Sequence, residues 1–367
     1  MNSMLRTVAL GTVTFQREKV TWRVPVAAAV ATSLMVAAFI AAGLADKTIP
    51  LALGALFMPL SGLFEPPGRR LLTQLWTLVW IMLTTLLGGL LSSNSLVVIG
   101  MGTVASAIVA FCCGFAGGAG VNARVGGVLS LVLFAVFLGI PSSERNAVED
   151  CLLVGLGGVL VLGWLVALRL LFHRRKSWGA PPLSPNVIDR LRPRLNLRDD
   201  FFRHGVRLAG AFTTATIISQ VLMWPHQYWI PMTVAWVALP DPTGTATRVA
   251  GRVLGTLVGV ALITVVIVGA GPGPYAIAIL VGIGALIAEV FIVANYLVCV
   301  VGVTTFMIAL FTLVGDPVGE TVAYRAFCTI LAGVITIAWS MVWPAVGHEH
   351  RHLFRGRRET DAQPDSS

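Results

Sequence analysis

The chain has 367 residues, 56% of them hydrophobic and 12% charged, with a mean hydropathy of +0.84. A soluble domain carries about 25% charged residues, so composition excludes one and points to an all-α polytopic membrane protein. The net charge of +9 does not argue for nucleic acid, because it sits in loops between apolar runs, where it orients membrane helices.

In chain order, residues 1–22 read as a cytoplasmic N-terminal segment. The first apolar run follows Arg17, Glu18, Lys19 and Arg23. It is too long for a cleaved signal and lacks a small-residue cleavage site, so it reads as a retained helix. Apolar runs near 24–44, 48–64, 71–91, 95–115, 123–140 and 150–172 predict six membrane helices within residues 23–172. Residues 173–205 form a basic cytoplasmic linker containing Arg174, Arg175, Lys176, Arg190, Arg192, Arg194 and Arg198. It reads either as a connector lying on anionic lipid or as a solvated tether. Runs near 206–223, 228–240, 249–269, 275–293, 296–314 and 326–344 predict six more helices within residues 206–344. The tail, 345–367, reads as a disordered cytoplasmic segment. His348, His350 and His352 fit a surface tail better than a metal site, and neither metal nor cofactor is expected. Cys112, Cys113, Cys151, Cys299 and Cys328 all fall in apolar runs and read as small hydrophobes rather than disulfides.

With the N-terminus inside, Arg6, Arg17, Lys19, Arg23, Arg69, Arg70, Arg124, Arg248, Arg252 and the linker face the cytoplasm. Lys47, Arg145 and Arg325 face the other side. That asymmetry orients the chain in a cell membrane with both termini inside.

Two segments share one frame: IPLALGALFMP, bounded by Pro50 and Pro59, and IPMTVAWVALP, bounded by Pro231 and Pro240. Short proline-interrupted segments at matching places of two halves point to a transporter's binding site. Other pairs keep the register: Arg23 with Arg207, Asn122 with Asn295, Cys151 and Trp164 with Cys328 and Trp339. Two parallel six-helix repeats around an axis along the membrane normal are expected, with a pathway between them.

Tyr228, Trp229, Pro231, Thr233, Val234 and Pro240 are followed by Arg248-x3-Arg252-x2-Gly255-Thr256-x2-Gly259, then Asn295-Tyr296 and Arg325-x3-Thr329-x3-Gly333. This ordered set, over roughly 207–344, resembles the fusaric acid resistance (FUSC) or aromatic acid exporter family. The first half resembles it mainly through the repeat. The resemblance implies transport of small organic anions, often aromatic carboxylates. The superfamily is also similar to the plant aluminium-activated malate channels.

Arg248 and Arg252 stand four apart on one helix face, and guanidinium groups bind carboxylates bidentately. Arg69 and Arg70 sit at the matching end of the third helix and would complete a cationic vestibule, although arginines there also simply obey the positive-inside rule. Glu289, alone in an apolar run, reads either as a proton-coupling group or as an ion-pair partner for Arg252. Trp236 and Tyr228 could stack on an aromatic substrate, Tyr228 being equally suited to an interfacial belt. Asn295 and Tyr296 would either cap a helix or line the path. Gly251, Gly255 and Gly259 form a packing stripe. No phosphate loop, HExxH or G-x-S-x-G motif occurs, so enzyme chemistry is not expected. The expected function is a secondary transporter, exporting small organic, aromatic carboxylate anions across the bacterial inner membrane. The alternatives are an anion channel or a non-transport membrane assembly module. Assembly as a homo-oligomer is left open.

Overall fold

The computed structural model describes residues 2–93, 95–140, 146–172, 187–222 and 226–343. Helix α1 (Asn2–Val13) precedes two sets of six. The first comprises α2 (Arg23–Ala41), α3 (Thr48–Leu60), α4 (Pro67–Leu90), α5 (Leu96–Ala116), α6 (Val121–Gly139) and α7 (Ala147–Phe172). A short α8 (Val187–Leu191) leads to α9 (Asp200–Leu222), α10 (Trp229–Val237), α11 (Pro242–Ala270), α12 (Pro274–Phe291), α13 (Tyr296–Leu313) and α14 (Val318–Met341). All twelve expected helices are present, and no strand occurs among the described residues.

Of these, nine are long and apolar enough to cross a membrane: α2, α4 to α7 and α11 to α14. The 13 residues of α3 and 9 of α10 span only about 20 Å and 14 Å, against a hydrocarbon core of about 30 Å. Every residue of both is buried, so neither faces lipid. The prolines do not act as breaks. Pro50 and Pro231 are third residues of their helices, within the first turn, where an N–H would have no intrahelical acceptor anyway. Pro59 lies in the last turn of α3, and Pro240 falls beyond the end of α10. Elsewhere proline opens α4, α11 and α12, its preferred helical position.

The packing of α2–α7 recurs in α9–α14. The short helix lies against the last helix of its set (α3 on α7, α10 on α14), the third against the fifth (α4 on α6, α11 on α13), and the first against the second. Trp164 Nε1 of α7 donates to the Ala27 carbonyl of α2 at 3.0 Å, and Trp339 Nε1 of α14 to Thr214 Oγ1 of α9 at 3.2 Å. Between the sets, α2 packs on α12 and α5 on α9. At the centre Phe57 of α3 meets Trp236 of α10 edge-on, centroids 6.2 Å apart. One hydrophobic core runs through both sets.

Part of the linker is folded: Arg190 donates to the Ala119 carbonyl at 2.9 Å, and the Arg194 guanidinium lies over Phe201 at 5.0 Å. Residues 173–186 and 344–367 lie outside the described residues. The N-terminal segment is also folded, with α1 packed on α11 and α13.

Close approach of α3 and α7 depends on Gly54 and Gly157. A Cβ on Gly54 would run into the Val154 carbonyl oxygen, and one on Gly157 into that of Leu51. Such overpacking costs roughly 1–3 kcal/mol. Gly157→Val should lower the thermal midpoint of the detergent-purified protein, whereas Gly163→Val, on the same helix with open space beside it, should not.

Candidate functional site

Four arginines gather around α10, and their partners sort them. Arg207 of α9 is buried. Its Nη2 donates to the Pro240 carbonyl at 2.7 Å and its Nη1 to that of Ser340 at 3.3 Å. Arg248, half-buried on α11, donates from Nη1 to the Trp236 carbonyl at 3.1 Å and lies 5.0 Å over the Tyr296 ring. Both tie down carbonyls at or just beyond the C-terminal end of α10, where no helical N–H is available.

Arg252 and Arg325 differ. Each is 1% exposed. Arg252 lies one turn deeper than Arg248, with Nε and Nη2 unpartnered. Arg325 lies in the second turn of α14, with Nε, Nη1 and Nη2 all unpartnered, its guanidinium 4.9 Å over the Trp229 ring. The two cations are within electrostatic reach of each other, and among the described residues no carboxylate acts on Arg325. Tyr296 Oη is beside Arg252 but makes no hydrogen bond of good geometry. A buried cation without a counter-charge costs several kcal/mol, so the pair is a costly concentration of unneutralised positive charge. A cation–π contact offsets only about 2 kcal/mol of that at best.

Arg325 is the residue sequence reasoning misplaced. The polar stretch before residue 326 reads as a loop, but α14 begins at Val318 and carries Arg325 inside. The signal was present: Arg325, Thr329 and Gly333 repeat at helical spacing. α9 likewise starts earlier than expected, at Asp200 rather than near 206.

The remaining expected residues are distributed as follows. Trp236 is buried against Phe57 and turns its carbonyl to Arg248. Tyr228 is buried, its hydroxyl 3.2 Å from His226 Nδ1. Asn295 is a helix cap: Oδ1 accepts from Val298 N at 3.0 Å. Its amide donates to the carbonyls of Thr14 at 3.0 Å and Thr12 at 3.4 Å, which holds the N-terminal segment over the start of α13. The Gln16 N–H bonds the Ala294 carbonyl at 3.0 Å, and Phe15 and Trp22 pack on Phe291. Glu289 is buried with both oxygens unpartnered and no charged group acting on it. The ion pair with Arg252 is therefore not formed. Arg69 and Arg70 are half-buried at the start of α4, with Arg70 facing the charge of Arg169 rather than α11. Gly251, Gly255 and Gly259 face α13, meeting Tyr296, Leu297 with Val300, and Thr304.

The expected opening between the halves is filled by the Phe57–Trp236 contact, and Arg252 is sealed. A cavity of about 10 Å³ lies beside His204, Arg207, Ala238, Thr336, Trp339 and Ser340, room for about one water.

A bundle of long apolar helices around two short enclosed ones, with unneutralised cations beside one of them, defines a multi-pass membrane protein. Residues 214–339 match the family model described as fusaric acid resistance protein-like, the family expected from the motifs in this half. That stretch contains Trp229, Arg248, Arg252, Glu289, Asn295 and Arg325. Similarity extends to the inner membrane protein YccS of Escherichia coli (strain K12), 30% identical over 146 residues, 39% of this chain and 20% of that one. An uncharacterized protein ORF2 of Neisseria gonorrhoeae is 40% identical over 75 residues, 20% of this chain and 18% of that one. The matches cover no more than a fifth of the length of these relatives. No solved structure matches.

Asn295→Ala should loosen the N-terminal segment. Loss of the hydrogen bonds donated to Thr12 and Thr14 costs about 1 kcal/mol, so amide exchange of residues 7–16 should quicken roughly fivefold, read by hydrogen-exchange mass spectrometry.

Proposed function

We propose that this chain is a secondary transporter that exports small organic, aromatic carboxylate anions across a bacterial inner membrane, with both termini in the cytoplasm. One observation carries the reading: Arg252 and Arg325, each 1% exposed, leave five N–H-bearing nitrogens without acceptors in an apolar interior. A carboxylate accepts paired hydrogen bonds from a guanidinium and removes the cost of the bare charge. The Trp229 ring, already against Arg325, supplies an apolar face beside the charge for an aromatic substrate. The sealed geometry supports alternating access rather than an open pore. The fusaric acid resistance protein-like match supports the substrate class. Basic groups of the linker would rest on anionic lipid.

The test is benzoate flux in proteoliposomes. A hydrogen bond to a charged group contributes about 1.5–3 kcal/mol, so Arg252→Ala and Arg325→Ala should each lower flux roughly 10–100-fold, and Arg252→Lys should lower it less. Unchanged flux in both alanine variants rejects the assignment. Benzoate currents too large for a carrier would reassign the chain as a channel, and no flux of any carboxylate would leave a non-transport role.

A further inference from the structure

At the end of the bundle where α9 turns into α10 and α13 into α14, a second polar cluster is unused by the reading above. His226 sits in the α9–α10 turn at φ +55°, a left-handed conformation uncommon for a residue with a side chain. Its ring is held on every side. It stacks on Trp229 at 4.7 Å and touches Phe311 of α13 at 4.5 Å. Nε2 lies 3.3 Å from Asp316 Oδ2 in the α13–α14 turn, and Nδ1 lies 3.2 Å from Tyr228 Oη. Arg325 lies over the same Trp229 ring. Among the described residues, Asp316, Tyr228 and Arg325 are the titratable groups facing this layer from α10, α13 and α14 and their turns.

The geometry points to His226 as a proton site that fills when an anion binds at Arg325, so that proton and anion are taken up together. This rests on the anion reading of Arg325. The hydrogen bonds accept either charge state of the ring with no heavy atom moving. In the neutral ring, Nε2–H donates to Asp316 and Nδ1 accepts from the Tyr228 hydroxyl. In the charged ring, Nδ1–H donates to the Tyr228 oxygen, whose own proton rotates away. Asp316 is one-third exposed and provides contact with solvent. The coupling is electrostatic. Burial and the positive charge of Arg325 hold the imidazole below its ordinary value, while Asp316 pulls it up. An anion on Arg325 cancels the repulsion and leaves Asp316 to favour the charged ring, so anion binding takes up a proton. By reciprocity, protonation of His226 tightens the anion.

The sign is fixed. Affinity for the anion is highest at low pH. It falls as pH rises through the interval between the free and anion-bound values of His226, at most about tenfold per pH unit.

The experiment is calorimetric titration of the detergent-purified full chain with benzoate, in buffers of different ionisation enthalpy, between about pH 6 and 8, where benzoate stays ionised. The wild type should take up a fraction of a proton per benzoate, approaching one at the steepest pH. His226→Gln, which keeps a hydrogen-bonding side chain, should bind benzoate with no proton uptake and a flat pH profile. Asp316→Asn should shift the profile to lower pH. Wild-type binding without proton uptake overturns the inference and leaves the anion site standing. So does uptake that persists in His226→Gln but vanishes in Glu289→Gln, which would assign the proton to α12. No benzoate binding to the wild type would overturn both readings.

Discussion

A helix that ends inside a bilayer leaves carbonyls that water cannot reach, and each needs a donor from the protein. α3 and α10 impose this requirement, because neither is long enough to carry its end to the surface. In the first half the solution is neutral: the Gln74 amide and the Ser61 hydroxyl both donate to the Met58 carbonyl, at 3.0 Å and 2.9 Å. In the second half it is cationic. Arg248 donates to Trp236 and Arg207 to Pro240. The C-terminal end of a helix carries partial negative charge, so a guanidinium suits it better than an amide.

That account covers Arg248 and Arg207 and stops there. Arg252 and Arg325 serve no carbonyl, and their burial is not explained by closing a helix end. Their nearest groups are rings and thiols: Tyr296 and Cys299 by Arg252, Trp229 and Cys328 by Arg325. These neighbours soften the environment without neutralising it. The difference between the two pairs is not one of residue type or helix position, since Arg248 and Arg252 share one face of one helix. It is whether an acceptor is within reach, and only coordinates decide that.

The same limit explains what was legible in the sequence. Helix number and order could be read because twelve apolar runs have no soluble alternative. The short segments could be read because proline and length mark them. Rotation and depth could not. Glu289 and Arg252 sit at readable positions of α12 and α11, yet the two do not pair. Arg325 was hidden by its neighbours, since Gly319, Glu320 and Tyr324 give its turn the polarity of a loop. The helix nonetheless carries Arg325 inside, where Trp229, itself fully buried, lies against its guanidinium. Asn295 showed the opposite problem. Its capping role is visible in sequence, but its hold on Thr12 and Thr14 needs a contact across more than 280 positions.

Packing therefore recurs between the two sets of helices while charge does not. Among the described residues of α2–α7, Asp150 is the one buried charged group. The second set holds Arg207, Arg252, Glu289 and Arg325. A pathway on an axis between the halves would draw on both sets and pass the point where Phe57 meets Trp236, which is apolar and filled. The unpaired cations lie instead among α10, α11, α13 and α14, inside one set. On this ground the proposed anion route runs off-centre through the second half, with the first half serving as the scaffold against which α10 is held and would have to move.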